Sequence, residues 1–144
     1  MIISRTPFRI SFFGGGTDFP EWYNKNGGKV ISTAINKYCY ISARVLPPFF
    51  NYKYRLRYFK DEHVAKIKDI KHPSIRETLK FKKFKYNLEV VHNADLPAQS
   101  GLGASSSFTV GLLNCLGALN NQLVSKKNLA TQAIDIEQKK IKEF

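Results

Sequence analysis

The stretch LPAQSGLGASSSFTVGLL, residues 96–113, sits between an apparent strand and an apolar run. Gly101 and Gly103 permit positive φ and let another group come close to the main chain. A helix opening near Ala104 or Ser105 leaves its first N–H groups unpaired at the positive end of the helix dipole. Strand, glycine turn and helix N-terminus together make a seat for an anion, phosphate above all. Ser105, Ser106 and Ser107 add hydroxyls, either for phosphate oxygens or for a hard cation held beside them. The run lacks the lysine of the GxxxxGK[ST] pattern, so it would be a different solution to the same electrostatics. A tight turn with a serine cap needs one glycine and one serine, whereas the segment SGLGASSS within this run holds two and four. That excess tips the reading modestly towards phosphate.

A second place of this kind is FFGGGTDFP. Gly14, Gly15 and Gly16 strip side chains from a loop and leave room for a ligand, and Asp18 offers a carboxylate that accepts hydrogen bonds from hydroxyls. Thr17 or Asp18 could instead cap a short helix through FPEWY, with Pro20 in its first turn. The two readings are compatible. A third candidate is Glu137. With Ala130, Ile134, Ile141 and Phe144 it falls at 4, 3, 4, 3 spacing on what reads as one apolar helix stripe. A carboxylate there needs a partner, either a structural lysine or a bound cation.

The elements that must position these residues can be read from periodicity. RTPFRISFF reads as a strand entering the glycine turn, and KVISTAINKYCYISARVL as one long strand or two, stopped by Pro47 and Pro48. YRLRYFK and NLEVVHNADLP are further strands, and a helix is expected after Pro73, started by Ser74 or the His72–Pro73 pair. Phe108, Leu112, Cys115, Leu116 and Leu119 form the buried stripe of the helix that follows the serines. Another helix begins after Ser125, a suitable N-cap.

The chain has 144 residues and a net charge of +12. That length suits one domain, and no apolar run approaches the roughly 18 residues needed to cross a bilayer. The start MIISRTPFRISFF contains Arg5 and Arg9 and no small-residue cleavage site, which argues against a signal peptide. Cys39 and Cys115, far apart and without metal spacing, read as buried thiols of a reducing cytoplasm. LKFKKFKY and NYKYRLRYFK interleave cations with rings, a footprint of nucleic-acid binding. Plain amphipathic alternation explains them with fewer assumptions, and a positive field also attracts phosphorylated small molecules.

PAQSGLGASSS and PFRISFFGGGTD together resemble the two N-terminal motifs of the GHMP small-molecule kinases, in the right order. GGGTDFP, HPSIRETLK and the DLP…SGLGASSSFTVGLL block look most like the branch of D-glycero-D-manno-heptose 7-phosphate kinases. The resemblance covers essentially the whole chain. It implies an α+β, two-layer fold, residues 1–144 forming one N-terminal domain, with a mostly antiparallel sheet covered on one face by helices.

The resemblance also implies roles. Ser100, Gly101, Leu102, Gly103, Ala104, Ser105, Ser106 and Ser107 would wrap the phosphates of ATP. Ser105 and Glu137 would hold Mg2+, which would explain a carboxylate on an apolar stripe. Gly14, Gly15, Gly16, Thr17 and Asp18 would form the sugar site, with Asp18 on the acceptor hydroxyls and Arg9 near the reacting one. Galactokinases carry Glu-His where this chain has Gly15 and Gly16, so the pocket should be roomier. The family's catalytic aspartate and its C-terminal domain fall beyond Phe144, so these residues alone are expected to bind nucleotide weakly and not turn over. The partners implied are ATP and a phosphorylated sugar, with no membrane; a homodimer is compatible. Fucose, galactose and glucuronate kinases are alternatives within the family. An RNA-binding module is the rival outside it, since the fold is shared with a domain of a ribosomal protein.

Overall fold

The computed structural model describes residues 1–141. Five strands form one sheet in the order β1-β2-β5-β3-β4: β1 Ile2–Phe13, β2 Ile31–Val45, β3 Tyr54–Arg57, β4 Asp61–Val64 and β5 Leu88–Ala94. Every neighbouring pair is antiparallel except β3 with β5. The helices α2 (Pro73–Phe81), α3 (Ala104–Leu119) and α4 (Lys126–Ile134) complete the body, and a short helix α1 (Pro20–Asn26) follows the triple glycine. This is the expected two-layer α+β arrangement with a mostly antiparallel sheet. The short strand β4 was not among the expected elements.

Strand alternation explains which face is covered. Phe8, Cys39, Ile41, Ala43, Leu56, Leu88 and Val90 point to the helices and are buried with Phe108, Leu112, Cys115 and Leu116 of α3. The α3 stripe is therefore the one that the spacing predicts. The basic-aromatic stretches resolve as amphipathic patterning: Tyr54, Leu56 and Phe84 are buried, while Arg57, Lys83 and Lys85 are exposed. Cys39 and Cys115 are free and buried. Burial chiefly, with Cys115 beside it, pushes the Cys39 thiol up to about 12, so it is no thiolate at neutral pH.

Two expectations need correcting. The first concerns the stripe after Ser125. Ser125 does cap α4, its hydroxyl accepting from the Asn128 N–H at 3.2 Å. The buried residues are Leu129, Ala133 and Ile136, packed on Leu113 of α3. Ala130 is exposed and Ile134 is 52 % exposed; Phe144 lies outside the described residues. The apolar face is thus turned by about one position, and α4 passes into a π-helix over Asp135–Ile141. Leu129, Ala133 and Ile136 keep the expected 4, 3 spacing one position earlier, so the exposure of Ala130 and Ile134, which precede the π-helix, reflects the rotation of α4 rather than a change of period. The second concerns α1. Its N-cap is Phe19, with no side-chain capping bond and Pro20 in the first turn, so neither Thr17 nor Asp18 caps it.

α3 lies close against the sheet because Gly111 faces it. A Cβ there would stand 3.0 Å from both Ser4 Oγ and Thr6 Oγ1 and 3.2 Å from Ile41 Cγ1, and the Ser4 hydroxyl donates to the Gly111 carbonyl at 2.9 Å. Gly111→Val is expected to push α3 off β1 and β2 and to cost about 1–3 kcal/mol, read as a lowered urea midpoint. An unchanged midpoint would mean that this contact is slack.

Candidate functional site

The start of α3 is locked to β1 by a break in strand pairing. The β1–β2 register slips between Pro7, opposite Tyr38, and Arg9, opposite Ala34, so that Phe8 faces three residues of β2. The freed groups turn to the glycine loop. Arg9 N–H donates to the Leu102 carbonyl at 3.0 Å, and the Ser107 hydroxyl donates to the Pro7 carbonyl at 2.9 Å. Ser107 is accordingly buried and acts as a structural peg, pointing away from any ligand at the loop. Gly101 and Gly103 both have positive φ, 73° and 76°. Gly103 is the N-cap of α3 and its missing Cβ would stand 3.0 Å from Arg9 Cγ, whereas nothing lies within 4 Å of one at Gly101. The loop is therefore closed towards Arg9 and open at Gly101, and no side chain caps the α3 N-terminus.

Arg9, Thr17, Asp18, Tyr23, Ser106 and Glu137 line one cavity of about 660 Å³, a size that accommodates a small ligand. The Ser106 hydroxyl donates to Glu137 Oε2 at 3.1 Å, and the Arg9 guanidinium donates to Ser11 Oγ at 3.0 Å. The cavity thus holds three of the expected groups: sugar-loop residues, Arg9 and the acid of the second helix. The serine that meets Glu137 is Ser106; Ser105 lines a different cavity on the other side of the α3 N-terminus. Among the described residues no group of three or more His, Cys, Asp and Glu gathers as a metal site. One carboxylate and one hydroxyl suit Mg2+, which keeps several waters and takes further oxygens from substrate phosphates.

The glycine loop is shaped by its own glycines. Gly14 has φ 87°, and a Cβ on it would lie 1.9 Å from the Lys29 carbonyl oxygen. The Thr17 hydroxyl donates to the Gly14 carbonyl at 2.7 Å, so Thr17 serves the loop. The Asp18 carboxylate is exposed at the cavity and makes no hydrogen bond or ion pair among the described residues. Gly15 and Gly16 have nothing within 4 Å of a Cβ position.

The second cavity, about 390 Å³, is walled by Tyr58, Phe59, His72, His92 and Phe108, and Lys60, Lys71, Gln99 and Ser105 also line it. Neither period nor motif announced it, because its organiser, Glu62, sits on the unexpected strand β4. Glu62 is 7 % exposed. It accepts from the Tyr58 hydroxyl at 2.5 Å and from the Lys71 and His72 N–H groups at 2.7 and 3.1 Å. Burial alone would raise its pKa, but these bonds outweigh it and hold the carboxyl below its ordinary range. His72 stacks on Phe108 and caps α2, its Nδ1 accepting from the Ile75 N–H at 3.4 Å. Burial chiefly, with His92 nearby, lowers the imidazole to about 4.

Both shifts act in one direction on stability. An unfolded imidazole protonates near 6.5, so the stability of the neutral form is full above that pH and is lost as pH falls towards about 4. The contribution of Glu62 is lost as pH falls through its depressed pKa. Melting temperature is therefore expected to drop between pH 7 and pH 4. His72→Asn, which retains a capping acceptor, should flatten that drop; a variant curve parallel to the wild type would contradict the assignment.

Comparison with known proteins gives the family. The family model for the GHMP kinases N terminal domain matches residues 67–143. A curated relative, the D-glycero-alpha-D-manno-heptose 7-phosphate kinase of Campylobacter jejuni, is 26% identical over 148 residues, covering 94% of this chain and 43% of its own. The chain therefore spans less than half the length of that relative. Among solved structures, a D-glycero-D-manno-heptose 1-phosphate kinase from Bacteriodes thetaiotaomicron superposes with TM-score 0.82 at 18% identity, over 100% of this chain and 50% of that one. The Lactococcus lactis galactokinase complexed with galactose gives TM-score 0.68 at 21% identity, over 96% and 38%. These likenesses show the fold. With the family model matched across more than half of its length, the chain belongs to the GHMP kinases, whose N-terminal domain it carries.

Proposed function

We propose that these residues form the nucleotide- and sugar-binding half of an ATP-dependent, cytoplasmic sugar kinase that phosphorylates the anomeric hydroxyl of a heptose 7-phosphate. The observation that carries the reading is the contact between Ser106, at the uncapped N-terminus of α3, and Glu137 at 3.1 Å. Phosphoryl transfer needs little covalent help from a protein; it needs positioning and a place for the charge of the phosphates. The open glycine loop and the α3 N–H groups supply that place, with the hydroxyl of Ser105 at hand, while the Ser100 oxygen is buried with no hydrogen-bond partner among the described residues. Mg2+ would supply charge neutralisation between phosphate oxygens, and Ser106 and Glu137 are the residues that would hold it. The aromatic cavity beside Ser105 suits the base of the nucleotide by stacking.

Asp18 and Arg9 face the same 660 Å³ cavity as Glu137. Asp18 orients acceptor hydroxyls, and Arg9 steadies the charge that grows on the reacting oxygen. The space left by Gly15 and Gly16 suits an acceptor longer than a hexose. Asp18 and Glu137 are the carboxylates lining this cavity among the described residues; with one given to the acceptor and one to the cation, we assign the general base to neither.

Calorimetric titration with magnesium and a nonhydrolysable ATP analogue tests this reading. Ser106→Ala and Glu137→Gln should each weaken binding by roughly tenfold or more, while Ser107→Ala should lower the melting temperature. Residues 1–144 incubated with heptose 7-phosphate, ATP and magnesium should release no ADP. Robust turnover would make Asp18 the base, and unaltered affinity in the Glu137 variant would remove the cation site.

A further inference from the structure

Helix α1 is weakly anchored for its position. None of its seven residues is buried, and glycines bracket the segment, with Gly14 at φ 87° before it and Gly27 at φ 70° and Gly28 after it. Such a helix has no apolar face to dock, so its place over the cavity must come from specific bonds. Tyr23 provides one. Its hydroxyl donates to Gln138 Oε1 at 3.0 Å, across 115 residues of sequence. Gln138 directly follows Glu137 inside the π-helix, and both residues line the cavity together with Tyr23 and Asp18.

We propose that the Tyr23–Gln138 hydrogen bond is a latch that couples α1, and with it the sugar loop, to the turn that presents Glu137 to Ser106. Tyr23 is on this account a positioning residue acting through Gln138. The inference rests on the kinase reading for what the coupling serves: a cation and nucleotide drawn to Glu137 would reset the π-turn and so reset α1 over the acceptor. π-turns inside helices are costly and are found where function requires them. Here the turn brings an acid and an amide, adjacent in sequence, onto one cavity. Coupling through a bond of this kind is reciprocal, so an acceptor that orders α1 would in turn tighten nucleotide binding.

The chain carries its own reporter. Trp22, its one tryptophan, precedes Tyr23 in α1 and is 51 % exposed. In the protein without ligand, Tyr23→Phe should raise acrylamide quenching of Trp22 and speed hydrogen exchange of the α1 amides by roughly three- to tenfold. Magnesium with a nonhydrolysable ATP analogue should shift Trp22 emission in the wild type. Tyr23→Phe and Gln138→Leu should each abolish that shift while calorimetry still registers nucleotide binding. The double variant should lose no more than either single one, as groups that act as a unit do. Quenching and exchange unchanged in Tyr23→Phe would overturn the latch whatever the nucleotide does. Calorimetric binding in the wild type without a Trp22 shift would overturn the coupling and leave the kinase reading standing. No calorimetric binding at all would overturn both the coupling and the nucleotide reading, while the ligand-free measurements would still decide whether the latch exists. Additive losses in the double variant would overturn the claim that the two residues act together.

Discussion

The junction between β1 and the start of α3 is the constraint on which the rest of the site depends. Pro7 has no N–H to give a neighbouring strand, and the pairing with β2 slips just beyond it, at Phe8. The Pro7 carbonyl and the Arg9 N–H then become available to the glycine loop, and Ser107 and Leu102 take them. One irregularity therefore ties the start of α3 and the Gly103 turn to β1 and sets the place of Arg9, while Gly111 lets the rest of α3 lie close. A regular strand would have satisfied those groups within the sheet and left the loop free to wander.

The electrostatics of the site are local and owe little to the charge of the whole chain. Most of the excess cations sit on the outside of elements whose apolar sides are buried, so the +12 is chiefly a property of the surface. At the loop the positive potential comes from unpaired N–H groups at a helix start, which act over a few ångströms. The carboxylate of Glu137 lies against it through Ser106. On the proposed reading of this loop as a seat for phosphate, an acid beside it is unfavourable unless a cation intervenes, and a hydroxyl and a carboxylate are hard oxygen donors of the kind Mg2+ accepts.

Much of this was legible in the sequence because it rests on short-range rules. The positions of Gly101 and Gly103 foretold positive φ, and the spacing of Phe108, Leu112, Cys115 and Leu116 foretold the buried face of α3. Tertiary choices were less visible. Which serine meets Glu137 depends on helix rotation. Spacing cannot tell Ser105, on one side of the N-terminus, from Ser106 on the other, nor show that Ser107 turns inward. The apolar stripe through Ile134 misled because Leu129, Ala133 and Ile136 offer the same spacing one position earlier, and because apolar residues such as Ile134 line an open cavity as readily as a core. The aromatic cavity stayed hidden since its organiser, Glu62, lies on a four-residue strand too short to show alternation. Tyr23 and Gln138 lie far apart in sequence, and no motif joins them.

The measurement that bears most directly on the central claim is a crystal structure of these residues with magnesium and a nonhydrolysable ATP analogue. The account requires phosphate oxygens within hydrogen-bond reach of the α3 N-terminal amides. It also requires the metal at about 2.1 Å from an oxygen of Ser106 or Glu137, or joined to them through its own water. Phosphates bound away from Gly101–Ser106, or a Glu137 side chain turned out to bulk solvent while the nucleotide is bound, would contradict it.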